Sequence, residues 1–478
     1  MEFIGRESEL AILEREYARD HGFVVIYGRR RIGKTRLVKE FVSGKNALYF
    51  LASQESEPMN LQRFARLVAS FTGAGYLAEA SFTDWRPLFN AFAAFDPETK
   101  KVLVIDELPY LAKTNPAFLS VLQSAWDEML SQANVMLILC GSSVHMMRDQ
   151  ILSRESPLYG RRTSQLKLPP LPFHELEAHF VGTPFKRLVE LYSVTGGVPK
   201  YLEFFEADSF REESDVDRAI AENVLRTTGF LHEEPYFLLG QDLSDPVNYL
   251  TLLTAIALGH HRLSDISRMV GKRASDLTGY LKILISLGYL ERRVPFNEDK
   301  PERSKNGLYH ITDPFLRFWL RYVQPFEGEL EMGNLGPSND AMMKTFRSNH
   351  VPFAFEDISR ETFGRLCTQG QIPFSPKRIA SYWNRSGSVE ADVCAQATEG
   401  TSPARFVGEC KYHATKAFSV RELQEVLAKL PSIPGSDQRT LVGLFSATGF
   451  EDALIEQSGS GRSLILIDKN RIVSDRRG

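Results

Sequence analysis

The sequence predicts an α/β protein that begins with a parallel sheet and ends with a second, separate α/β domain. The first observation is the stretch GRRRIGKT (28–35), which follows a buried-strand pattern and opens an amphipathic helix pattern. Strand, glycine-containing loop and helix in this order are typical of a parallel sheet with helical crossovers. The second observation is that short strand patterns return in the last third of the chain. The length of 478 residues allows about three domains.

Composition narrows the class of protein. Hydrophobic residues make up 43% of the chain and charged residues 24%, which are ordinary values for a globular protein. The net charge is −3, so any contact with nucleic acid depends on local basic patches. The four cysteines have no metal-ligand spacing, which favours a reduced, cytoplasmic setting. No run of about 18 apolar residues is present, so we expect no membrane-spanning segment.

The stretch at 28–35 fits the pattern G-x-x-x-x-G-K-[ST] of a phosphate-binding loop. Gly28 and Gly33 allow backbone N–H groups to turn inward around phosphate oxygens, and the following helix N-terminus favours negative charge. We expect Lys34 to reach the β- and γ-phosphates and the Thr35 hydroxyl to ligate Mg²⁺. The motif therefore predicts binding of ATP with Mg²⁺. The predicted nucleotide-contacting residues of the loop are Gly28, Arg29, Arg30, Arg31, Ile32, Gly33, Lys34, Thr35 and Arg36.

The stretch KVLVIDELPYL (101–111) predicts the second half of the same site. An apolar strand ends in two acids, of which Asp106 is placed to hold the Mg²⁺ shell. Glu107 is placed to polarise a water against the γ-phosphate. A further strand pattern, 134–143, ends in hydroxyls, so we expect Ser142 or Ser143 beside the γ-phosphate.

The remaining patterns of this region complete the predicted sheet. Residues 46–53 form a strand pattern between the two motifs, and helical patterns at 59–72, 84–94 and 116–131 supply the crossovers. A strand inserted between the phosphate-loop strand and the acidic strand is typical of the P-loop NTPases that carry a catalytic glutamate.

Six short stretches together resemble the prokaryotic AAA-like ATPases near the STAND and Orc/Cdc6 groups. They are FIGRESEL (3–10), GRRRIGKT, VLVIDELPYL, LILCGSS, SPLYGRR (156–162) and TGGVPKYL (195–202). The resemblance implies an ATPase core over 1–170, with Arg6 near the adenine. It also implies that Pro199 faces the nucleotide from a helical lid. Arg161 or Arg162 is the implied γ-phosphate arginine, and an arginine pair that only caps surface carboxylates is the alternative.

The middle of the chain predicts a helical lid over 171–246 and a winged helix-turn-helix over 247–325. Three helix patterns and two strand-like runs support the second assignment. DNA contact through this module is one interpretation, and a protein–protein joint is the other. The local positive charge of this module comes from Arg268, Lys272, Arg273, Lys282, Arg292 and Arg293, and a solvated face is the other interpretation of this charge. The following helix, DPFLRFWLRYV, and the domain order resemble an archaeal-type ATPase family with a C-terminal domain of unknown function.

After an irregular linker at 326–340, residues 341–478 predict an α/β domain with a cluster of charged side chains. Glu409 and Lys411 share one face of a strand because side chains alternate, and an antiparallel neighbour brings Asp392 beside them. We expect Asp392 and Glu409 to hold Mg²⁺, or Mn²⁺, with Glu356 completing the shell. Lys411 would position or deprotonate an attacking water, or stabilise the developing charge. Gln424, in the next helix, is an added polar candidate or a solvated residue.

This arrangement resembles the PD-(D/E)xK nuclease fold, also called restriction-endonuclease-like. The proline that often precedes the first aspartate is absent, because Ala391 stands there. An exposed charged strand pair without catalysis is the alternative interpretation of the same residues.

Two functional hypotheses follow from the sequence. The first is an ATP-gated, metal-dependent nuclease that acts on DNA, with Glu356, Asp392, Glu409 and Lys411 in the cutting site. The second is a STAND-like nucleotide switch that forms a homo-oligomer on ATP binding, and whose winged helix binds DNA or protein. In that case the C-terminal domain only binds. A metabolic kinase is disfavoured, because no acceptor-substrate domain is evident and Glu107 suits hydrolysis.

Overall fold

The computed structural model describes residues 3–205, 215–243, 245–398, 405–413, 415–459 and 463–473. The chain divides into two compact units. Unit 1 comprises Met1–Leu171 with Val198–Lys200, and unit 2 comprises Pro172–Gly197 with Tyr201–Gly478. This division does not separate the predicted lid, winged-helix and C-terminal regions, so those finer boundaries stay predictions.

Unit 1 contains a five-stranded, all-parallel sheet in the order β2-β3-β4-β1-β5. Its strands are β1 (Gly22–Tyr27), β2 (Ala47–Leu51), β3 (Lys101–Asp106), β4 (Val135–Gly141) and β5 (Ser164–Lys167). The four strand patterns predicted from the sequence are confirmed, and β5 is an addition. The strand inserted between β1 and β3 is β4, as in P-loop NTPases with a catalytic glutamate.

Helices cover both faces of this sheet. They are α1 (Glu7–Tyr17), α2 (Lys34–Val42), α3 (Glu57–Thr72), α4 (Tyr76–Glu79), α5 (Arg86–Ala94), α6 (Leu108–Thr114), α7 (Phe118–Glu128) and α8 (Val144–Met146). The predicted crossover helices correspond to α3, α5 and α7.

The two faces of the sheet pack into two separate apolar cores because successive strand residues point to opposite sides. In β1, Phe23 and Val25 enter one core, and Val24 and Ile26 enter the other. All six residues of β1 and of β3 are buried. This two-sided burial accounts for the continuous apolar runs that predicted these strands.

Unit 2 begins with the helical region that the sequence predicts as a lid. Its helices are α9 (Phe173–His179), α10 (Phe185–Thr195), α11 (Pro199–Phe204), α12 (Val216–Ile220) and α13 (Glu234–Asp242). The first two residues of α11 fall in unit 1, and the rest of it falls in unit 2.

Three helices and an antiparallel hairpin follow, in the predicted order. They are α14 (Pro246–Ala257), α15 (Leu263–Val270), α16 (Ala274–Leu287), β6 (Leu290–Arg293) and β7 (Leu308–Ile311). The aromatic-rich helix α17 (Pro314–Tyr322) then begins at Asp313, whose carboxylate accepts hydrogen bonds from the N–H groups of Phe315 and Leu316.

The segment 326–340 is not the irregular linker that the sequence predicts. It contains the short helix α18 (Glu327–Glu331) and the first part of α19 (Gly336–Thr345). Leu330 and Ser338 are buried, and the Ser338 hydroxyl donates a hydrogen bond to the carbonyl of Tyr322. Glycine recurs in this segment, yet tertiary contacts hold two helices there: Tyr236 of α13 donates to Glu327 of α18, and Ser338 of α19 contacts α17.

The C-terminal region is a six-stranded mixed sheet in the order β13-β12-β11-β10-β9-β8. The elements are α20 (Val351–Thr368), β8 (Pro376–Trp383), β9 (Glu390–Ala397), β10 (Arg405–Lys411), α21 (Val420–Lys429), β11 (Leu441–Ser446), α22 (Asp452–Gly459), β12 (Leu464–Asp468) and β13 (Arg471–Ile472). Strand β9 pairs antiparallel with β8 and β10, whereas β10, β11 and β12 run parallel. The five strands predicted here are confirmed, as are the helices at both sides of the sheet.

Two further observations concern membrane-spanning helices and the cysteines. Within the described ranges no helix is long and apolar enough to cross a membrane. Cys140, Cys367, Cys394 and Cys410 are free thiols.

The contact between α9 and α20 generates a prediction on pH. His174 Nδ1 lies 2.7 Å from Glu361 Oε1. The hydrogen bond to Glu361 raises the pKa of His174 above its usual value. A raised folded-state pKa means that the pair's stabilisation is full below the unfolded pKa of about 6.5 and is lost as pH rises through the folded pKa.

We therefore expect His174→Gln to lower the Tm more at about pH 5.5 than at about pH 9. Thermal unfolding of the full chain checks this, with His145→Gln as a control at an exposed histidine that also lies near a carboxylate. A loss of Tm that is equal at both pH values would contradict the electrostatic account.

Candidate functional site

The phosphate-binding loop joins β1 to α2 in unit 1, and its two glycines are required by its geometry. Gly28 has φ 156° and Gly33 has φ 90°, backbone conformations that L side chains rarely adopt. A Cβ atom at Gly28 would lie 2.4 Å from Ile32 Cδ1 and 2.5 Å from the Leu168 carbonyl oxygen. A larger residue at Gly28 would therefore displace Ile32 or the Leu168 backbone and disturb the loop.

Lys34 and Thr35 begin α2 and face the acidic strand β3. The Lys34 ammonium donates hydrogen bonds to the carbonyls of Gly28 and Arg29, both at 2.9 Å. Burial lowers the pKa of Lys34. Thr35 Oγ1 donates to Asp106 Oδ2 at 2.8 Å, and the Tyr49 hydroxyl donates to the same oxygen. The two residues predicted to hold Mg²⁺ are thus in direct contact.

Glu107 follows Asp106 in a left-handed conformation, with φ 54°. Such backbone strain in a residue other than glycine is concentrated at functional sites. Glu107 Oε2 accepts hydrogen bonds from Ser142 Oγ at 2.8 Å and from Ser142 N at 3.2 Å. The predicted catalytic glutamate and the predicted sensor hydroxyl therefore meet at the ends of β3 and β4.

The other residues predicted for this site take different positions. Arg6 donates hydrogen bonds to Glu9 and to the carbonyls of Ile32 and Pro169. Through Ile32 it holds the phosphate-binding loop. Pro199 is close to the loop, because a Cβ atom at Gly33 would lie 3.5 Å from its Cγ. Arg30 donates to the Tyr110 hydroxyl at 2.8 Å, and Arg36 is exposed.

Arg161 does not meet the loop in this structure. Its guanidinium forms two hydrogen bonds with Asp127, at 2.7 and 2.6 Å, and a third with the Pro157 carbonyl. This contact matches the alternative interpretation of the sequence, in which the arginine pair caps surface carboxylates. The γ-phosphate role of Arg161 has no support from these contacts.

The C-terminal cluster depends on the pairing of β9 with β10. Val393 lies opposite Gly408, so Asp392 and Glu409 come next to each other on neighbouring strands. Asp392 Oδ2 accepts a hydrogen bond from Cys410 N at 2.7 Å. Lys411 Nζ donates to Glu409 Oε1 at 2.8 Å. The sheet thus brings Asp392, Glu409 and Lys411 together.

The electrostatics of this cluster differ from those of a solvated strand pair. Burial, and then the charge of Glu409, raises the pKa of Asp392 to about 6. Burial, and then the charge of Asp392, raises the pKa of Glu356 to about 8. Burial lowers the pKa of Lys411, but Glu409 outweighs it and the pKa ends above its usual value. Lys411 is therefore an ammonium at neutral pH.

Glu356 does not complete a shell of three carboxylates. Its carboxylate lies 3.7 Å from Arg360 Nη1. Among the residues that the structure describes, no group of three or more His, Cys, Asp or Glu side chains is arranged to hold a metal ion. Asp392 and Glu409 remain as a pair, which fits Mg²⁺ because this ion binds through one or two carboxylates and keeps waters or substrate oxygens.

Family comparisons agree with this two-part organisation. Residues 3–205 match an ATPase domain predominantly from Archaea, and residues 319–425 match a domain described as Archaea bacterial proteins of unknown function. An uncharacterized protein of Methanocaldococcus jannaschii is 34% identical over 436 residues, which cover 91% of this chain and 93% of the relative. The chain belongs to this predominantly archaeal family of P-loop ATPases.

A solved Walker-type ATPase shares the fold of this chain. The Walker-type ATPase of Pyrococcus abyssi is 22% identical, with a TM-score of 0.50, over 67% of this chain and 96% of that chain. The ORC2 protein of Aeropyrum pernix is 19% identical, with a TM-score of 0.44, over 72% of this chain and 96% of that chain.

The basic residues of the predicted winged helix divide into two groups. Arg268, Lys272, Arg273 and Lys282 are exposed on or beside α15 and α16. Arg292 instead donates to the carbonyls of Pro301 and Ser304, and Arg293 pairs with Glu291 and Asp357. The charge of the hairpin arginines is therefore taken up by contacts with the hairpin loop, Glu291 and α20, and DNA contact by this module stays a prediction.

Sequence patterns missed three polar contacts of the ATPase. Lys429, the last residue of α21, lies 3.3 Å from Glu409 Oε2, whereas Gln424 of the same helix is exposed. Tyr49 contacts Asp106 from β2. Periodicity places both residues on an element but does not identify their partners, so no sequence signal would have found these contacts.

A third missed contact joins α10 to the end of β10. Glu190 Oε1 accepts a hydrogen bond from the Tyr412 hydroxyl at 2.8 Å, and Arg347 binds both Glu190 oxygens at 3.0 Å. Arg347 also donates to Asp217 at 3.0 Å. We call these four residues the Glu190 junction. Tyr412 directly follows Lys411, so the junction connects a lid helix to the C-terminal cluster.

The position of Glu107 generates a prediction for ATP turnover. Glu107→Gln keeps the shape of the side chain and its contact with Ser142 but removes the charge that polarises water. We expect ATP hydrolysis to fall by about 10²–10⁴-fold, while Mg-ATP binding is retained. Glu98→Gln, at an exposed glutamate in the loop before β3, is the matched control. Steady-state turnover and nucleotide affinity measure both effects, and undiminished turnover in Glu107→Gln would contradict the assignment.

Proposed function

We propose that this ATPase is an ATP-gated, divalent-cation-dependent nuclease that acts on DNA. The observation that carries the proposal is the convergence of Asp392, Glu409 and Lys411 at the paired strands β9 and β10. Two carboxylates and an ammonium in a half-buried setting need a partner that compensates for desolvation. A divalent cation with a phosphodiester is the partner that this set of charges fits best.

In the nucleotide site, the chain's own groups bind and orient ATP. The N–H groups of the loop backbone and the Lys34 ammonium bind the phosphates, and Thr35 with Asp106 would hold Mg²⁺. Glu107, positioned by Ser142, polarises the attacking water against the γ-phosphate. Arg6 contacts the loop at the Ile32 carbonyl, and Pro199 lies close to Gly33.

In the C-terminal site, Asp392 and Glu409 would hold Mg²⁺ or Mn²⁺. When bound, the cation polarises the phosphate and lowers the pKa of a water. Because Lys411 is protonated, it stabilises the developing negative charge rather than removing a proton. Hydrolysis forms a bond from the water oxygen to phosphorus and breaks one phosphorus–oxygen ester bond. The water's proton passes to solvent, and the leaving oxygen takes a proton from solvent.

Gating is the role that we assign to the Glu190 junction. Helix α10 carries Glu190 and runs to Gly196 and Gly197, after which the chain enters unit 1 at Val198. A displacement of α10 on ATP binding would move Glu190 and therefore Tyr412, next to Lys411. The buried carboxylate holds Arg347 and Tyr412 by charge-assisted hydrogen bonds, which favour rigid transmission.

DNA docking is assigned to the three helices and hairpin at 246–311, as a winged helix. Arg268, Lys272, Arg273 and Lys282 offer four exposed cations for phosphate contacts. With the hairpin arginines held internally, α15, α16 and the turn between them carry the contact rather than the wing. A protein partner on the same surface remains the alternative.

A nucleotide switch is the second candidate function. It is favoured by the neutralisation of Glu409 by two lysines and by the lack of a three-ligand metal cluster among the described residues. In that case the ATPase would assemble into a homo-oligomer on ATP binding, and the C-terminal domain would bind without cutting. Slow turnover, retained nucleotide and a mass change with ATP would support it.

Plasmid cleavage separates the two functions. We expect the purified ATPase with Mg²⁺ or Mn²⁺ to nick or linearise plasmid, faster with ATP than without it. Asp392→Ala should abolish cleavage, because it removes one of two cation ligands. Glu390→Gln changes an exposed carboxylate two residues away on the same strand and should leave cleavage unchanged. Absence of cleavage by wild type, or equal cleavage by Asp392→Ala, would favour the switch.

The Glu190 junction generates a prediction on coupling. Tyr412→Phe removes one hydrogen bond to a buried carboxylate, worth about 1.5–3 kcal/mol. We expect the ratio of cleavage with ATP to cleavage without ATP to approach one, while ATP hydrolysis continues. Tyr382→Phe, which removes a hydroxyl from β8, controls for general loss of stability. A preserved ratio in a folded Tyr412→Phe protein would exclude the junction as the gate.

A further inference from the structure

The C-terminal cluster contains a second ammonium group, that of Lys429. Lys429 Nζ lies 3.4 Å from Glu409 Oε1 and 3.3 Å from Glu409 Oε2. Lys411 Nζ lies 2.8 Å from Oε1 of the same carboxylate. The Glu409 side chain is 9% exposed, whereas those of Lys411 and Lys429 are 31% and 35% exposed. Both lysines therefore reach a nearly buried carboxylate from the solvent side.

The two lysines hold Glu409 differently. Lys411 has one short contact, which is typical of a strong charge-assisted hydrogen bond. Lys429 faces both oxygens at longer distances, which indicates a weaker, mainly electrostatic contact. Lys429 is also the last residue of α21 and carries its charge on a flexible four-carbon stem. Of the two ammonium groups, that of Lys429 is the one that can leave.

The charge count gives a reason for it to leave. Asp392 and Glu409 together carry two negative charges, and Lys411 and Lys429 carry two positive charges, so the cluster is neutral as it stands. Lys429 lies near both Glu409 oxygens, the atoms through which a carboxylate ligates a cation. A divalent cation there would repel the Lys429 ammonium, and a phosphodiester brought by that cation would attract it.

We propose that Lys429 is a phosphate-contacting residue that competes with the divalent cation for Glu409. Without the cation, Lys429 neutralises Glu409. With it, Lys429 swings away from the carboxylate and pairs with a phosphate of the nucleic-acid substrate. The inference rests on the proposed nuclease function, since it uses the same cation centre. It adds a positioning residue from α21 and a reason why a buried glutamate has two cationic partners.

The first test is cation binding to the full-length protein without nucleic acid or nucleotide. Mn²⁺ affinity is measured by electron paramagnetic resonance, and the binding that Asp392→Asn abolishes is assigned to this centre. We expect Lys429→Met to tighten that binding by roughly threefold or more, because the competing charge is gone. Lys416→Met is the matched control, since Lys416 also lies 3.4 Å from a glutamate oxygen, that of Glu422.

The second test is affinity for a short DNA duplex in Ca²⁺, over a range of salt concentrations. We expect Lys429→Met to weaken binding several-fold and to reduce the salt slope by about 1, the effect of one lost phosphate contact. Lys429→Arg should keep the affinity, and Lys416→Met should change neither quantity. Circular dichroism and Tm confirm that each variant is folded.

The outcomes are decisive in either direction. Tighter Mn²⁺ binding together with weaker DNA binding supports the proposal, even if the wild-type protein proves not to cleave DNA. Unchanged or weaker Mn²⁺ binding in folded Lys429→Met overturns it, and so does unchanged DNA affinity with an unchanged salt slope. If wild type has no Asp392-dependent Mn²⁺ binding, the competition does not exist and the proposal fails.

Discussion

The antiparallel register between β9 and β10 is the constraint on which the C-terminal centre depends. It sets Val393 opposite Gly408, which brings Asp392 next to Glu409. A Cβ atom at Gly408 would lie 3.0 Å from ring carbons of Phe406 and Phe445 and 3.1 Å from Val393 Cβ, so a larger residue would disturb this pairing. A slip of one residue would turn every side chain of one strand to the opposite face. The hydrogen bond from Cys410 N to Asp392 fixes the same register from the site itself.

The nucleotide site and the C-terminal cluster both contain acidic side chains and lysines, but the lysines have different partners in the two sites. In the nucleotide site, Asp106 accepts hydrogen bonds from the hydroxyls of Thr35 and Tyr49, and the Lys34 ammonium donates to backbone carbonyls of the loop. In the C-terminal cluster, ammonium groups already neutralise Glu409. The ammonium of the first site is bound to backbone carbonyls, whereas the ammonium groups of the second site contact the carboxylate that we propose as a cation ligand. The Glu190 junction lies next to the second site, where a small displacement of Tyr412 would change the position of Lys411.

Sequence patterns predicted what depends on local periodicity. The phosphate loop, the acid-terminated strand β3 and the pairing of Asp392 with Glu409 each follow from strand alternation or from a glycine loop. The patterns failed where a side chain's partner is far along the chain. Arg293 adds positive charge to the predicted winged helix, but its partner Asp357 lies on α20 and no local signal reveals it. Lys429 and Gln424 share one helix, and only the tertiary position of α21 decides which of them meets Glu409. The helices within 326–340 were missed because they are short and contain glycine or proline, which have low helix propensity. Such short helices depend on tertiary contacts, here with α13 and α17.

The central claim is that Asp392 and Glu409 share one divalent cation. Crystals of the full-length ATPase grown with Mn²⁺ and a non-hydrolysable ATP analogue test it most directly, because manganese is located by its anomalous scattering. The account predicts two peaks, one beside Thr35 and Asp106 and one that contacts both Asp392 and Glu409, with the Lys429 ammonium moved away from Glu409. A single peak at the nucleotide site, with Lys429 still on Glu409, would contradict the claim.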